Sequence, residues 1–315
     1  MKKVSIFLVA AAIIAAFGCG SSKPVGEVIT MTTSAERVSF SLLGTGTATV
    51  YWGDRSKPET WSLNNTHGIT QFTHHYSSKK HRIIRITGDT ITGLQSNNNE
   101  LTALDVSRNA ALTALWCYRN HLTVLDVSQN TALTHLFCEN NQLTELDISK
   151  NTALKVLNCS GNQFIELDVS QNTALEQLLC FNNQLTVLDI SKNIALELLR
   201  CFNNQLTALD VSKNTALDGL HCWNNQLTVI DVSQNTALSR LSLMENQLTA
   251  LDLSQNTALI WLAINYNLFS TEALNELFKT LPDNNISKTV DIGNNPGTSS
   301  CNPSIAEAKG WRVRR

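Results

Sequence analysis

The chain has 315 residues, 43% of them hydrophobic, with 24 Lys and Arg against 26 Asp and Glu. That length holds two or three domains. The slightly acidic balance argues against a nucleic-acid ligand, whose binding rests on neutralising phosphates with basic side chains.

The first element is an apolar run. Lys2 and Lys3 precede the uncharged stretch Val4 to Phe17. It is too short to cross a bilayer as a helix, which takes roughly 20 residues, and has the order of an export signal. Gly18-Cys19 follows and resembles the lipobox of bacterial lipoproteins. The resemblance implies that residues 1–19 are a signal peptide ending at Cys19, the acylated first residue of the mature chain. The protein would then be an outer-membrane lipoprotein at the cell surface, touching the membrane only through its lipid anchor. Cleavage near Ala16 without lipidation, and a periplasm-facing or secreted protein, stay open. Residues 20–27 read as a polar tether.

Residues 28–90 alternate as strands do: Val38, Phe40 and Leu42, then Thr47 to Trp52, then Arg82 to Ile86. Gly44, Gly46, Gly53, Asp54 and Pro58 mark turns between them. Trp52-Gly53-Asp54, followed by His74-His75-Tyr76 and a strand, resembles the bacterial PKD-like β-sandwich. A short sandwich capping the next segment is what this implies.

From Leu101 to Leu268 the chain repeats every 21 residues, eight times, without insertion or deletion. Blocks open as LTELDISKN or LTVLDISKN and close as ALxxLxCxxNQ. Such a period is the mark of a solenoid, in which each block buries its apolar face only against its neighbours. The L-x-x-L-x-L-x-x-N pattern occurs twice per block, as in Leu143 to Asn151 and Leu154 to Asn162, and resembles the nested leucine-rich repeat of bacteria. With a partial copy before it, the array covers 91–268. The fold class expected is mainly β: a leucine-rich repeat solenoid of short parallel strands, with a β-sandwich-like cap before it and a helix-containing cap after it.

Alternation in both the L-x-C and L-D-V triplets predicts a strand in each half of the coil. At roughly 4.7–4.9 Å per strand, eight coils span on the order of 40 Å. The Asn columns, Asn109 and Asn120 with their successors at 21-residue steps, fall at the corners, where an amide can satisfy backbone groups that a tight turn leaves unpaired. Cys117, Cys138, Cys159, Cys180, Cys201 and Cys222 form a column that continues as Leu243 and Ile264. Replacement by Leu and Ile marks it as an apolar core position rather than a disulfide or metal framework. Residues 269–315 read as the closing cap: a Ser-capped helix over 270–281, a strand over 288–292, Cys301 buried, and Trp311 packed onto the end.

The internal comparison of repeats locates the candidate surface. The outward Asp column (Asp105 to Asp252) and Ser column (Ser107 to Ser254) barely vary. Uniform columns cannot encode an irregular partner. The Asp carboxylates must stay solvated, accept backbone N–H bonds, or pair with Arg108, Lys150, Lys192 and Lys213, with calcium a further option. Beside the Cys column the positions vary and are bulky, running from Trp116 to Ser242 on one side and from Tyr118 to Met244 on the other, and all are expected to face solvent. Trp116, Tyr118, Phe137, Phe181, Arg200, Phe202, His221, Trp223 and Arg240 are the candidate ligand-binding residues, an aromatic and Arg mixture typical of interface anchors. A self-stacking aromatic ladder that stabilises the sheet is the alternative, and the two readings are compatible.

Residues 91–268 carry 16 acidic and 8 basic residues, a net −8, which reinforces the case against nucleic acid. Asp54, His67, His74, His75 and His81 form the single cluster with catalytic residue types, but no nucleophile elbow, phosphate loop or H-E-x-x-H spacing accompanies it. The expectation is therefore a non-enzymatic binding or adhesion protein without metal or cofactor. Its partner is a protein or a glycan, and a structural spacer without a specific ligand is the third reading.

Overall fold

The computed structural model describes residues 27–64, 69–283 and 288–315. The export signal, Cys19, nearly all of the tether and His67 lie outside the described residues.

Five strands open the fold: β1 (Glu27–Thr33), β2 (Arg37–Tyr51), β3 (Glu59–Asn64), β4 (Thr70–His75) and β5 (Arg82–Gln95). All pair antiparallel, with β2 at the centre against β3, β4 and β5. Gly44 and Gly46, expected from their sequence context to mark turns between strands, instead lie inside β2. They lie in a bulged stretch of β2 where its register against β5 shifts. Gly46 adopts φ +84°, and Asp89 Oδ2 accepts the Thr47 backbone N–H at 2.7 Å, so the unpaired residue is satisfied locally and the strand runs on. Val38, Phe40, Leu42 and Val50 are buried along it, and Trp52 is buried just after it.

β5 joins the two halves of the molecule. Its first seven residues pair with β1, and Gly93 to Gln95 pair in parallel with the first solenoid strand. Next come β6 (Leu101–Asp105), antiparallel to β1, and then one three-residue strand per coil: β7 (Ala114–Trp116), β8 (His135–Phe137), β9 (Val156–Asn158), β10 (Gln177–Leu179), β11 (Leu198–Arg200), β12 (Gly219–His221), β13 (Arg240–Ser242) and β14 (Trp261–Ala263). They pair in register and in parallel, each residue opposite the one 21 positions on.

The expected strand in the L-D-V half is absent after β6. Two tight turns use its backbone instead. In one coil Asp147 Oδ1 accepts the Ser149 N–H at 2.9 Å, the Asn151 N–H bonds the Ile148 carbonyl, and the Leu154 N–H bonds the Asn151 carbonyl. A backbone folded on itself has few groups left for a ladder, so Asn side chains supply much of the contact between coils. Asn151 Nδ2 donates to the carbonyls of Val127 and Asn130 in the preceding coil, at 3.0 and 2.9 Å. At the other corner Asn162 Nδ2 donates to the carbonyls of Cys138 and Cys159, while its Oδ1 accepts the Leu143 N–H. Both ladders repeat along the array.

Leu143, Leu146, Ile148, Leu154, Leu157 and Cys159 of that coil are buried, and so are their equivalents elsewhere. The six column thiols are 0% exposed and form no disulfide, and burial pushes the pKa of Cys117, Cys138, Cys159 and Cys180 upward. A hydrogen bond with the Cys222 thiol, and then burial, push the pKa of Cys201 upward.

The sheet outlives the repeat. α1 (Thr271–Thr280) follows Ser270, whose Oγ accepts the Ala273 N–H, and buries Leu274, Leu277 and Phe278. β15 (Lys288–Asp291) then pairs with β14, α2 (Ser304–Glu307) follows, and β16 (Trp311–Arg314) pairs with β15, again in parallel. Trp311 is 1% exposed and donates from Nε1 to the Pro282 carbonyl, so it seals the cap. Cys301 is buried there too.

Candidate functional site

Short strands with their Leu and Cys turned inward leave the alternate residues on the outer face of the sheet. Their in-register stacking brings columns of side chains together. Phe181, Phe202 and Trp223 stack face to face, with ring centroids 4.3 Å apart in both steps and planes within 12°. All three are half-buried. Beside them Asn203 Nδ2 donates to Asn182 Oδ1 at 2.5 Å, and Asn224 Nδ2 to Asn203 Oδ1 at 2.8 Å. Residues 182, 203 and 224 hold φ between 50° and 54°, a left-handed bend that Asn tolerates better than most residues. Local FNN and WNN triplets therefore build an aromatic ladder and an amide ladder side by side.

On the other flank the register sets Arg200 beside His221, and Gly219 beside Arg240. Both Arg side chains are exposed, and His221 is half-buried. Burial, then Arg200 and Arg240, hold the imidazole below its ordinary pKa, so it is neutral at pH 7. Trp261, one strand beyond Arg240, lies 6.2 Å from the His221 ring.

The nine candidates do not form one stripe. Trp116 stacks on Phe137 at 6.0 Å, and half-buried Tyr118 lies in the same coil as Trp116. The β9 coil then interrupts both columns, because Asn158 and Ser160 are buried and Ser160 Oγ donates to Asn158 Oδ1 at 2.7 Å. These two, and Ser242 at 1% exposure, depart from the expectation that the positions beside the Cys column face solvent. Short side chains set in register between longer ones are covered by them. Trp261 lies outside the nine candidates. Its signal is the 21-residue step from Arg240.

The Asp column has a structural occupation. From Asp105 to Asp252 each Oδ1 accepts the N–H of the Ser two residues on, at 2.8–2.9 Å. Those bonds hold the carboxyls of Asp147, Asp189, Asp210 and Asp231 below the usual range. In the N-terminal sheet His74 Nε2 and Asp54 Oδ2 are 2.7 Å apart. The same His74 ring stacks on Trp52, and Tyr76 donates to the Trp52 carbonyl. His75 is exposed. Among the described residues no three His, Cys, Asp or Glu converge as metal ligands, and no helix is long and apolar enough to cross a membrane.

Residues 131–172 match the family described as Leucine Rich repeats (2 copies), and residues 222–249 match the LVIVD repeat. No curated protein matches the chain in sequence. Among solved structures, the functional domain of InlJ from Listeria monocytogenes, described as including a cysteine ladder, is 31% identical with a TM-score of 0.62. The match covers 70% of this chain and 54% of that one, so the chain spans about half of that domain. An internalin (inlF) of Listeria monocytogenes is similar in fold, at 20% identity and TM-score 0.52, over 65% of this chain and 74% of that one. Register, Asn ladders, Cys column and these likenesses agree: the chain folds as a leucine-rich repeat solenoid.

Proposed function

We propose that the chain is a non-enzymatic interaction or adhesion scaffold that binds a protein through the outer face of coils β10 to β13. The observation that carries this reading is the half-exposed Phe181–Phe202–Trp223 ladder, with Arg200 and Arg240 exposed beside it. Exposed aromatic surface in a folded chain marks a contact site, and aromatic residues with Arg dominate protein interfaces. The stacking also weighs against a glycan. A sugar ring packs on an aromatic face, and here both faces of Phe202 and one face each of Phe181 and Trp223 are taken by neighbours. Ring edges and only the two end faces remain, and the edges suit the apolar side chains of a protein. Trp116, Tyr118 and Phe137 form a smaller second contact.

The likeness to InlJ and the internalin supports the binding-scaffold reading. The proposal extends to an outer-membrane lipoprotein anchored at Cys19 and displayed at the cell surface, with a PKD-like segment between anchor and solenoid. Metabolic labelling with a fatty-acid analogue should mark the wild-type chain and not Cys19→Ala. Phe181→Ser/Phe202→Ser/Trp223→Ser should abolish capture of partners from a host-protein array while circular dichroism stays unchanged. Undiminished capture would refute the site.

A further inference from the structure

The basic residues next to the ladder are out of keeping with the array around them. Residues 91–268 carry 16 acidic and 8 basic residues, yet Arg200, His221 and Arg240 gather on three adjacent strands. Arg200 and His221 are direct register partners, roughly 4.8 Å apart in backbone. Arg240 is the partner of Gly219, two residues before His221 on the same strand face. With no side chain at Gly219, Leu198 and the imidazole close over that position. A Cβ there would lie 2.8 Å from Leu198 Cδ1 and 3.8 Å from His221 Nε2.

Arg200 and Arg240 stand two strands apart with the His221 strand between them, and a neighbouring carboxylate is the usual partner of an exposed guanidinium. None serves here. Among the described residues neither Arg200 nor Arg240 forms an ion pair, although Glu197 and Asp218 are exposed at the entrances of the same coils. Lys155 shows the contrast, since it meets Glu176 at 2.8 Å, each one residue before its strand. Ten donor N–H groups of two planar forks are left to an outside acceptor, and carboxylates fit such forks in bidentate fashion.

We propose that Arg200, His221 and Arg240 form an anion-binding subsite for the carboxylates of an acidic segment of a partner protein, whose apolar side chains lie against the edges of Phe202 and Trp223. This rests on the binding-face reading above and adds the partner's chemistry. Charge complementarity selects a short acidic segment over a long polyanion. A polymer of phosphates or sulfates running past this window would cross coils that carry Glu176, Glu197, Asp218 and Glu245. The neutral imidazole adds a hydrogen-bonding group without a third positive charge, and a bound carboxylate would favour its protonation.

The test selects random peptides of about a dozen residues, displayed on phage, against three proteins. These are the full chain, Arg200→Ser/Arg240→Ser, and the aromatic triple variant, each checked for fold by circular dichroism. Peptides with Asp or Glu next to Phe, Trp, Tyr or Leu should be enriched about ten-fold on the wild type and fall to background on the Arg variant. A neutral or basic consensus, or acidic peptides recovered equally on the Arg variant, would overturn the subsite. Neutral peptides lost only on the aromatic variant would sink the acidic partner yet keep the binding face. No enrichment, or none lost on either variant, would sink both. Heparin retained by the wild type in preference to acidic peptides, and released by the Arg variant, would reassign the subsite to polyanions.

Discussion

At the scale of single residues, the same amino acid does different work in different columns. Asn193 is 0% exposed and donates to the carbonyls of Val169 and Asn172 at 3.0 and 2.8 Å. Each carbonyl also accepts a turn bond, so Asn193→Ala removes its second partner rather than its only one. Two net hydrogen bonds at about 1 kcal/mol each give an expected loss of about 2 kcal/mol in urea unfolding. Asp189→Ala, at an exposed turn, should cost much less. His221 behaves differently because its pKa is lowered in the fold. As pH falls below about 6.5 the unfolded chain takes the proton first, so stability declines toward acid. His221→Gln should flatten that decline, and urea midpoints at pH 7.5 and 5.5 would show a smaller difference than in the wild type. The role of the Asp column was legible only as a set of options. Its resolution needed the Asp–Ser turn, which hydropathy does not reveal.

Elements were legible where local pattern and packing agree. α1 was predicted within one residue of its bounds, because Ser270 caps it and Leu274, Leu277 and Phe278 recur at helical spacing. Ser270→Ala should lower stability by about 1 kcal/mol, read from the thermal midpoint. Where long-range pairing decides, the sequence was less informative. β1 lies between β5 and β6, and nothing local to Glu27–Thr33 indicates two antiparallel partners so far along the chain. β16 escaped notice because Trp311 to Arg314 carries two charges on a strand where only Trp311 is buried. The L-D-V half looked like a strand because its alternation is genuine. That alternation packs Leu and Val inward through turns instead.

The whole molecule is a stack whose coils touch mainly their neighbours, and this makes length adjustable in units of one period. Deleting Leu122 to Gln142 removes one full coil and should leave a cooperatively unfolding solenoid that still binds through Phe181, Phe202 and Trp223. Deleting Leu122 to Asn141, one residue fewer, shifts every following column against the preceding coil and should abolish the cooperative transition in circular dichroism. The candidate face was legible as outward and aromatic. Its division at Asn158 and Ser160 was not, since burial of a short side chain depends on its neighbours in adjacent coils. The sulfur column sets a condition on biogenesis. In an oxidising compartment six thiols enter the unfolded chain's history together, any two of them free to cross-link. Once the coils close, no oxidant reaches them and burial keeps the reactive thiolate scarce. In such a compartment productive maturation would be a race that stacking must win before the first sulfur bridge forms.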